Sequence, residues 1–350
     1  MPLEKETVRE IQVPIEDGTA VLSGVYSCPA ERCGNDTTFL FIHGSGMLDR
    51  DSNHRKLKTD VFRQLSAFLL QQGFSTLRYD KRGCGESGGD FRTAGHHDLA
   101  RDALAVLKQH RRTDPDGNVI LLGHSEGSLI AASLSKSHPE LIDGLVFLAP
   151  PCDTFEQTLI RQLTQIQKEL KGMQGLKGLM LRALPSKHML RNQSRFLEKV
   201  KASRSDTIRH KLRRINVKWI REMLEIDPEE HYAGLKHPFL TIGGEKDLQC
   251  RAERASLIAE LNPGIGTTRI IDNMTHMLRT VEGTPGLLSI RSEIQSPMDP
   301  EIGNCIADWA TITLDGHDGR SASAWLVVPV SCRSAVNHRR YSSENIGGTK

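Results

Sequence analysis

The chain has 350 residues, 38% of them hydrophobic and 25% charged, with a net charge of +3. That composition is ordinary for a globular protein long enough to bury its own core. So small an excess of charge does not mark a nucleic-acid or membrane-surface binder, and seven scattered cysteines, without CxxC pairs, read as free thiols rather than a disulfide set or a zinc site.

No apolar run approaches membrane-spanning length, and none follows the N-terminal Met-Pro-Leu-Glu-Lys-Glu. A cytoplasmic protein is therefore expected. In chain order, residues 9–15 and 19–27 are strand-like and flank Glu16-Asp17-Gly18, a hairpin signal. Residues 37–42 suit a buried strand. Val61, Leu65, Phe68 and Leu69 recur at helical spacing, and Gly73 stops that helix. A strand at 74–79 follows, then a helix marked by Leu99, Ala103, Val106 and Leu107, then a strand at 118–122. A helix at 128–136 and a strand at 145–149 complete this run. Further on, strands at 239–242 and 268–271 bracket a helix-like stretch at 252–261. Asp299-Pro300 opens a last helix with Ile302, Ile306 and Trp309 on one face, Pro suiting its first position.

Strands alternating with helices imply an α/β fold with a mainly parallel sheet covered on both faces. The alternation breaks between residues 152 and 233. That stretch is helical in character and carries 17 Lys and Arg against 10 Asp and Glu, a net of +7, which leaves −4 for the remainder. The expected division is a sheet core from 1–151 and 234–312, a helical cap inserted at 152–233, and a tail at 313–350. The tail is rich in Ser, Arg, Asn and Gly and is expected to be partly disordered; its one apolar run, 325–330, has no evident purpose. The cap's basic excess reads chiefly as a solvated face.

Between the strand at 118–122 and the next helix stands "GHSEG", residues 123–127. Gly-X-Ser-X-Gly after a strand and before a helix is a nucleophile elbow, a strained turn that lifts Ser125 above the sheet. Glycine serves two residues either side because a side chain there would clash. A serine hydroxyl needs a base and a group to orient that base. "GGEKD" after the strand at 239–242 ends in Asp247, and "DNMTH" after the strand at 268–271 ends in His276. Loops past the C-terminal ends of strands are where open parallel sheets hold their sites. Asp153, in "APPCD", is the competing acid, but it starts the cap at a natural helix N-cap position with Thr154 behind it. "HGSG" at 43–46 offers an oxyanion loop, and the backbone amides of Ser45 and Glu126 are the expected donors. His43 and His124 read as structural. "DRDSN" at 49–53 lacks the ligand count of a calcium loop and reads as loop-fixing. "YDKRGCGES" at 79–87 reads as a turn braced by Asp80 and Arg82, with Cys84 a bystander.

These motifs, "HGSGMLDRDSN", "LRYDKRGCGES", "GHSEG", "GGEKD" and "NMTH", follow one another in the order of the α/β-hydrolase superfamily. Over about residues 8–310 the chain resembles its capped carboxylesterases, near the dienelactone-hydrolase-like and serine-aminopeptidase-like branches. The resemblance implies an eight-stranded sheet, a Ser–His–Asp triad of Ser125, His276 and Asp247, and no cofactor. The expected chemistry is cleavage of a small-molecule carboxylic ester through an acyl-enzyme. Thioester and amide substrates would use the same machinery, acyl transfer is a further alternative, and a silent ligand-binding member a more distant one. The sequence does not indicate an oligomeric state.

Overall fold

Asp17-Gly18 closes a hairpin: β1 (Thr7–Pro14) and β2 (Val21–Cys28) pair antiparallel, with Gly18 at φ 70°. The computed structural model describes residues 6–29, 36–172, 186–210 and 213–315. Residues 175–184, whose apolar and cationic side chains suit the expected cap, and the tail from 316 onward, with its run at 325–330, lie outside the described residues. The remaining sheet strands are β3 (Thr37–Ile42), β4 (Ser75–Tyr79), β5 (Asn118–His124) and β6 (Gly144–Leu148). Two more strands of the sheet, Phe239–Gly244 and Gly266–Ile271, come later in the chain. A separate two-stranded pair, β7 (Thr207–His210) and β8 (Arg213–Asn216), precedes them, which makes the later two β9 and β10. The sheet order is β1-β2-β4-β3-β5-β6-β9-β10. Strand β2 runs against the rest of the sheet, antiparallel to both β1 and β4; every pair from β4 to β10 is parallel.

Side chains of a strand alternate between faces, and both faces here are buried. Leu40, Ile42, Val119 and Leu121 join one core; Phe39, Phe41, Ile120 and Leu122 join the other. Helices α2 (His96–Thr113) and α3 (Glu126–Ser137) cover the first face through Leu99, Val106, Leu107, Leu129 and Ile130. Helix α1 (Val61–Gln71) covers the second through Phe62, Leu65 and Leu69. The C-terminal helix Pro300–Asp315 joins it there with Ile302 and Ile306. This double burial is why the strands read as continuous apolar runs.

The expected elements shift in three places. Residues 152–233 are not helical throughout. They hold α4 (Phe155–Gly172), α5 (Ser186–Ala202), the β7–β8 hairpin, α6 (Val217–Glu225) and α7 (Pro228–Tyr232). Here α6 packs on α2, and α7 on α3. The helix-like stretch at 252–261 divides into a 3-10 turn, Ala252–Arg254, and a short helix, Leu257–Leu261. The last helix runs to Asp315, past the boundary at 312. Among the described residues no helix is long and apolar enough to cross a membrane.

Candidate active site

Strand β3 has β4 on one side and β5 on the other. The strand order therefore reverses at β3, and the crevice at such a switch point is where open α/β sheets bind ligands. Ser125 stands at the C-terminal end of β5 with φ 52° and ψ −121°, a conformation unfavourable for a residue with a Cβ. Its N–H is fixed to the Leu148 carbonyl at 2.9 Å. The flanking glycines are a packing necessity. A Cβ on Gly123 would lie 2.3 Å from the Gly127 carbonyl oxygen, and one on Gly127 would lie 2.0 Å from that of Ile42.

Ile42 is in register with Gly123, so the loop after β3 emerges beside the serine. A Cβ on Gly44 would come within 3.2 Å of the Ser125 Cβ. Among the described residues, neither the Ser45 nor the Glu126 N–H has a backbone partner. Glu126 opens α3, where the first N–H groups of a helix are unpaired and attract negative charge. His43 is buried between Phe62 and Tyr79, and its Nε2–H donates to the Asp49 carbonyl at 2.9 Å. Burial pushes its pKa down to about 3, so it is a neutral brace. Asp49 in turn accepts from the Asp51 and Asn53 N–H groups, a loop-fixing use of its carboxylate.

Strands β9 and β10 are adjacent, with Gly244 opposite Ile271, so their exit loops meet. Asp247 Oδ2 lies 2.8 Å from His276 Nδ1. A carboxylate can only accept, so Nδ1 carries the proton and Nε2 is left with its lone pair. The other oxygen, Oδ1, accepts from the N–H groups of Gln249 at 2.7 Å and Cys250 at 2.8 Å. His124 stacks against the His276 ring at 5.1 Å, and its Nε2–H donates to the His276 carbonyl at 3.1 Å. Burial lowers the His124 pKa to about 3. No hydrogen bond joins Ser125 Oγ to His276 among the described residues, but both line one cavity of about 520 Å3; such bonds commonly tighten only when substrate is bound.

Asp153 lies on the same cavity without touching His276. Its carboxylate accepts from Arg161 at 2.6 Å and from Arg251 at 2.9 Å and 2.5 Å. Burial alone would raise its pKa, but the Arg251 and Arg161 guanidiniums hold it below the usual carboxylate range. Nor does it cap α4. Thr154 accepts from the Gln157 N–H while the Gln157 side chain accepts from the Thr154 N–H, a capping box one residue later.

A buried cluster behind the serine has no counterpart in the sequence reading. The Glu126 carboxylate accepts from His96 Nδ1 at 3.0 Å and from Trp219 Nε1 at 2.7 Å, and lies 4.0 Å from Lys81 Nζ. Burial would raise its pKa, but Lys81 and the two donors hold it down at about 2. Trp219 is seated by Asn216, whose side chain accepts the Trp219 N–H and donates to the Phe91 and Ala94 carbonyls. The only available signal was Lys81 itself, in the turn at 79–87. There Asp80 accepts from Arg50 and from the Glu86 N–H, Arg82 pairs with Asp102, and burial raises the Cys84 thiol to about 11.

Among the described residues, the one His, Cys, Asp and Glu group close enough to hold a metal is Asp247, Cys250 and His276. Its donors are in use: both Asp247 oxygens are taken, and burial keeps Cys250 a thiol.

Residues 57–282 match the protein family described as Serine aminopeptidase, S33. Esterase EstD of Thermotoga maritima is 25% identical over 246 residues, 70% of this chain and 55% of that one. The chain thus spans about half the length of the curated relative it matches. Est1E of Butyrivibrio proteoclasticus, solved with ferulic acid, superposes with a TM-score of 0.56 at 15% identity, covering 87% of this chain and 99% of that one. Esterase Pf2001 of Pyrococcus furiosus superposes with a TM-score of 0.53 at 18% identity, covering 88% and 91%. These likenesses establish the α/β-hydrolase fold.

Proposed function

Since the chain belongs to the serine aminopeptidase S33 family, we propose that it is a serine hydrolase that cleaves carboxylic esters, with Ser125, His276 and Asp247 as its triad. One observation carries the reading: Ser125, in a strained turn, shares a cavity with a histidine whose Nδ1–H is held by a buried carboxylate. His276 Nε2 takes the Ser125 proton as Oγ attacks the ester carbonyl. The Ser45 and Glu126 amides stabilise the oxyanion. The alcohol leaves with the proton from His276, and water activated by the same nitrogen releases the acid.

The cavity favours esters over peptides with a free amino terminus. Binding an α-ammonium needs an uncommitted carboxylate, and the acids on its wall, Glu126 and Asp153, are both already paired. The wall is largely apolar. The core supplies Met47, Leu48, Leu57 and Leu129, and residues 152–233, which we read as a cap, supply Phe155, Leu159, Trp219 and Met223. A volume of about 520 Å3 is mid-range for small-molecule sites. The names of EstD, Est1E and Pf2001 as esterases agree with this choice.

The test is a panel of p-nitrophenyl esters from acetyl to palmitoyl, run on wild type and Ser125→Ala. Turnover should fall by roughly three to six orders of magnitude in the variant with unchanged circular dichroism. Near-normal turnover in a folded Ser125→Ala would sink the assignment.

A further inference from the structure

Lys81 is only 2% exposed, yet it carries an ammonium that no step above uses. It leaves the end of β4 and passes beneath the loop after β3. Its Nζ donates to the Gly44 carbonyl at 2.6 Å and to the Gly46 carbonyl at 3.3 Å. The Gly44 carbonyl and the Ser45 N–H belong to one planar trans peptide, so they point in opposite directions. A charged donor on the carbonyl fixes that plane and strengthens the dipole at its far edge. On the far edge is the N–H offered to the oxyanion.

Glu126 completes the arrangement. It supplies the second N–H from its backbone, and its side chain is the counter-ion of Lys81 at 4.0 Å. One buried ion pair therefore underlies both donors. It is itself anchored, at the carboxylate by His96 of α2 and Trp219 of α6, and at the ammonium by the Phe91 ring, 5.4 Å from Nζ. A buried pair of charges is poor value as a stability device, since apolar side chains of like size usually serve as well. Its orientation towards two peptide units is what an apolar replacement would lose.

We propose that Lys81 is a positioning residue of the oxyanion hole, orienting and polarising the Gly44–Ser45 peptide through its carbonyl, with Glu126 as the counter-ion that keeps the ammonium in place. The proposal rests on the serine-hydrolase reading. It predicts a defect in the transition state and not in ground-state binding.

The experiment measures the rate at which a fluorophosphonate labels Ser125, together with kcat and KM on the best p-nitrophenyl ester, in wild type, Lys81→Met and Lys81→Arg. The phosphonyl oxygen occupies the oxyanion hole whatever the natural substrate. Lys81→Met should label and turn over roughly 10- to 100-fold more slowly, less than deletion of a donor costs, with KM within about twofold of wild type, the pattern of an interaction made in the transition state. Lys81→Arg should recover part of the loss. If wild type labels at Ser125 and a folded Lys81→Met labels equally fast, the positioning role is overturned while the hydrolase reading stands. A rise in KM with kcat unchanged would also overturn it, as the mark of a loosened pocket. Failure of wild type to label at Ser125 overturns both. Should Lys81→Met not fold, Glu126→Gln, which keeps the shape and removes the counter-charge, must show the same selective fall; labelling at the wild-type rate there refutes the proposal.

Discussion

Asp153 lines the cavity and Asp247 stands behind His276, which also lines it; both carboxylates are buried, and their partners set different expectations for each. Asp247 holds His276 in the tautomer the proposed chemistry needs. Asp247→Asn should cut turnover by roughly three to four orders of magnitude while a fluorophosphonate still reaches Ser125. Asp153→Asn should leave the rate within a few-fold and lower stability by about 1 to 3 kcal/mol. The loss follows because Arg161, Arg251 and Arg254 would face one another without their anion. Since the folded pKa of Asp153 is depressed, its contribution is present above the ordinary carboxylate range and disappears as pH falls through the folded value. The gap between wild-type and variant urea midpoints should therefore close below about pH 4. Loss of turnover in Asp153→Asn with full activity in Asp247→Asn would reverse the assignment. Ser125, Asp247 and His276 were legible in the sequence as candidates because each ends a strand-then-loop pattern. It could not locate the Lys81 cluster, whose members meet across 37, 30 and 93 residues with no local spacing to betray them.

Elements were legible where their burial matched their period. The two-sided burial of β3 and β5 made them apolar runs, and one-sided helices such as α1 showed their stripe. The β7–β8 hairpin was hidden because "TIRH" and "RRIN" bury neither face and carry no alternation. The short helix Leu257–Leu261 was overextended because a 3-10 turn before it supplies similar spacing. Three helices of residues 152–233 reach the cavity, α4 with Phe155 and Leu159, α6 with Trp219 and Met223, and α7 with Pro228. Leu159→Trp should shift the ester panel towards shorter acyl chains, leaving the acetyl ester within about threefold, since overfilling a wall excludes bulk without touching the reacting atoms. A uniform fall across the panel would show that α4 does not read the acyl chain.

For the molecule as a whole, buried histidines dominate the expected response to acid. Burial lowers His43 and His124 to about 3 and His110 and His231 to about 4. The unfolded chain binds protons on these four near the ordinary value of about 6.5, and the folded chain does not. Stability is thus full above that value and falls as pH drops towards the folded values, by about 1.4 kcal/mol per histidine per pH unit. Urea midpoints at pH 7.5, 6 and 5 should decline steeply over the last interval; a flat series would contradict the burial of neutral imidazoles. The long-range construction of the site also bears on synthesis. His124 and His276, which touch, are 152 residues apart. A ribosome adding about 5 to 20 residues per second needs roughly 8 to 30 s to go from the elbow to the base. On the proposed mechanism the nascent serine lacks its base throughout that interval, and gains it only once translation has passed β10.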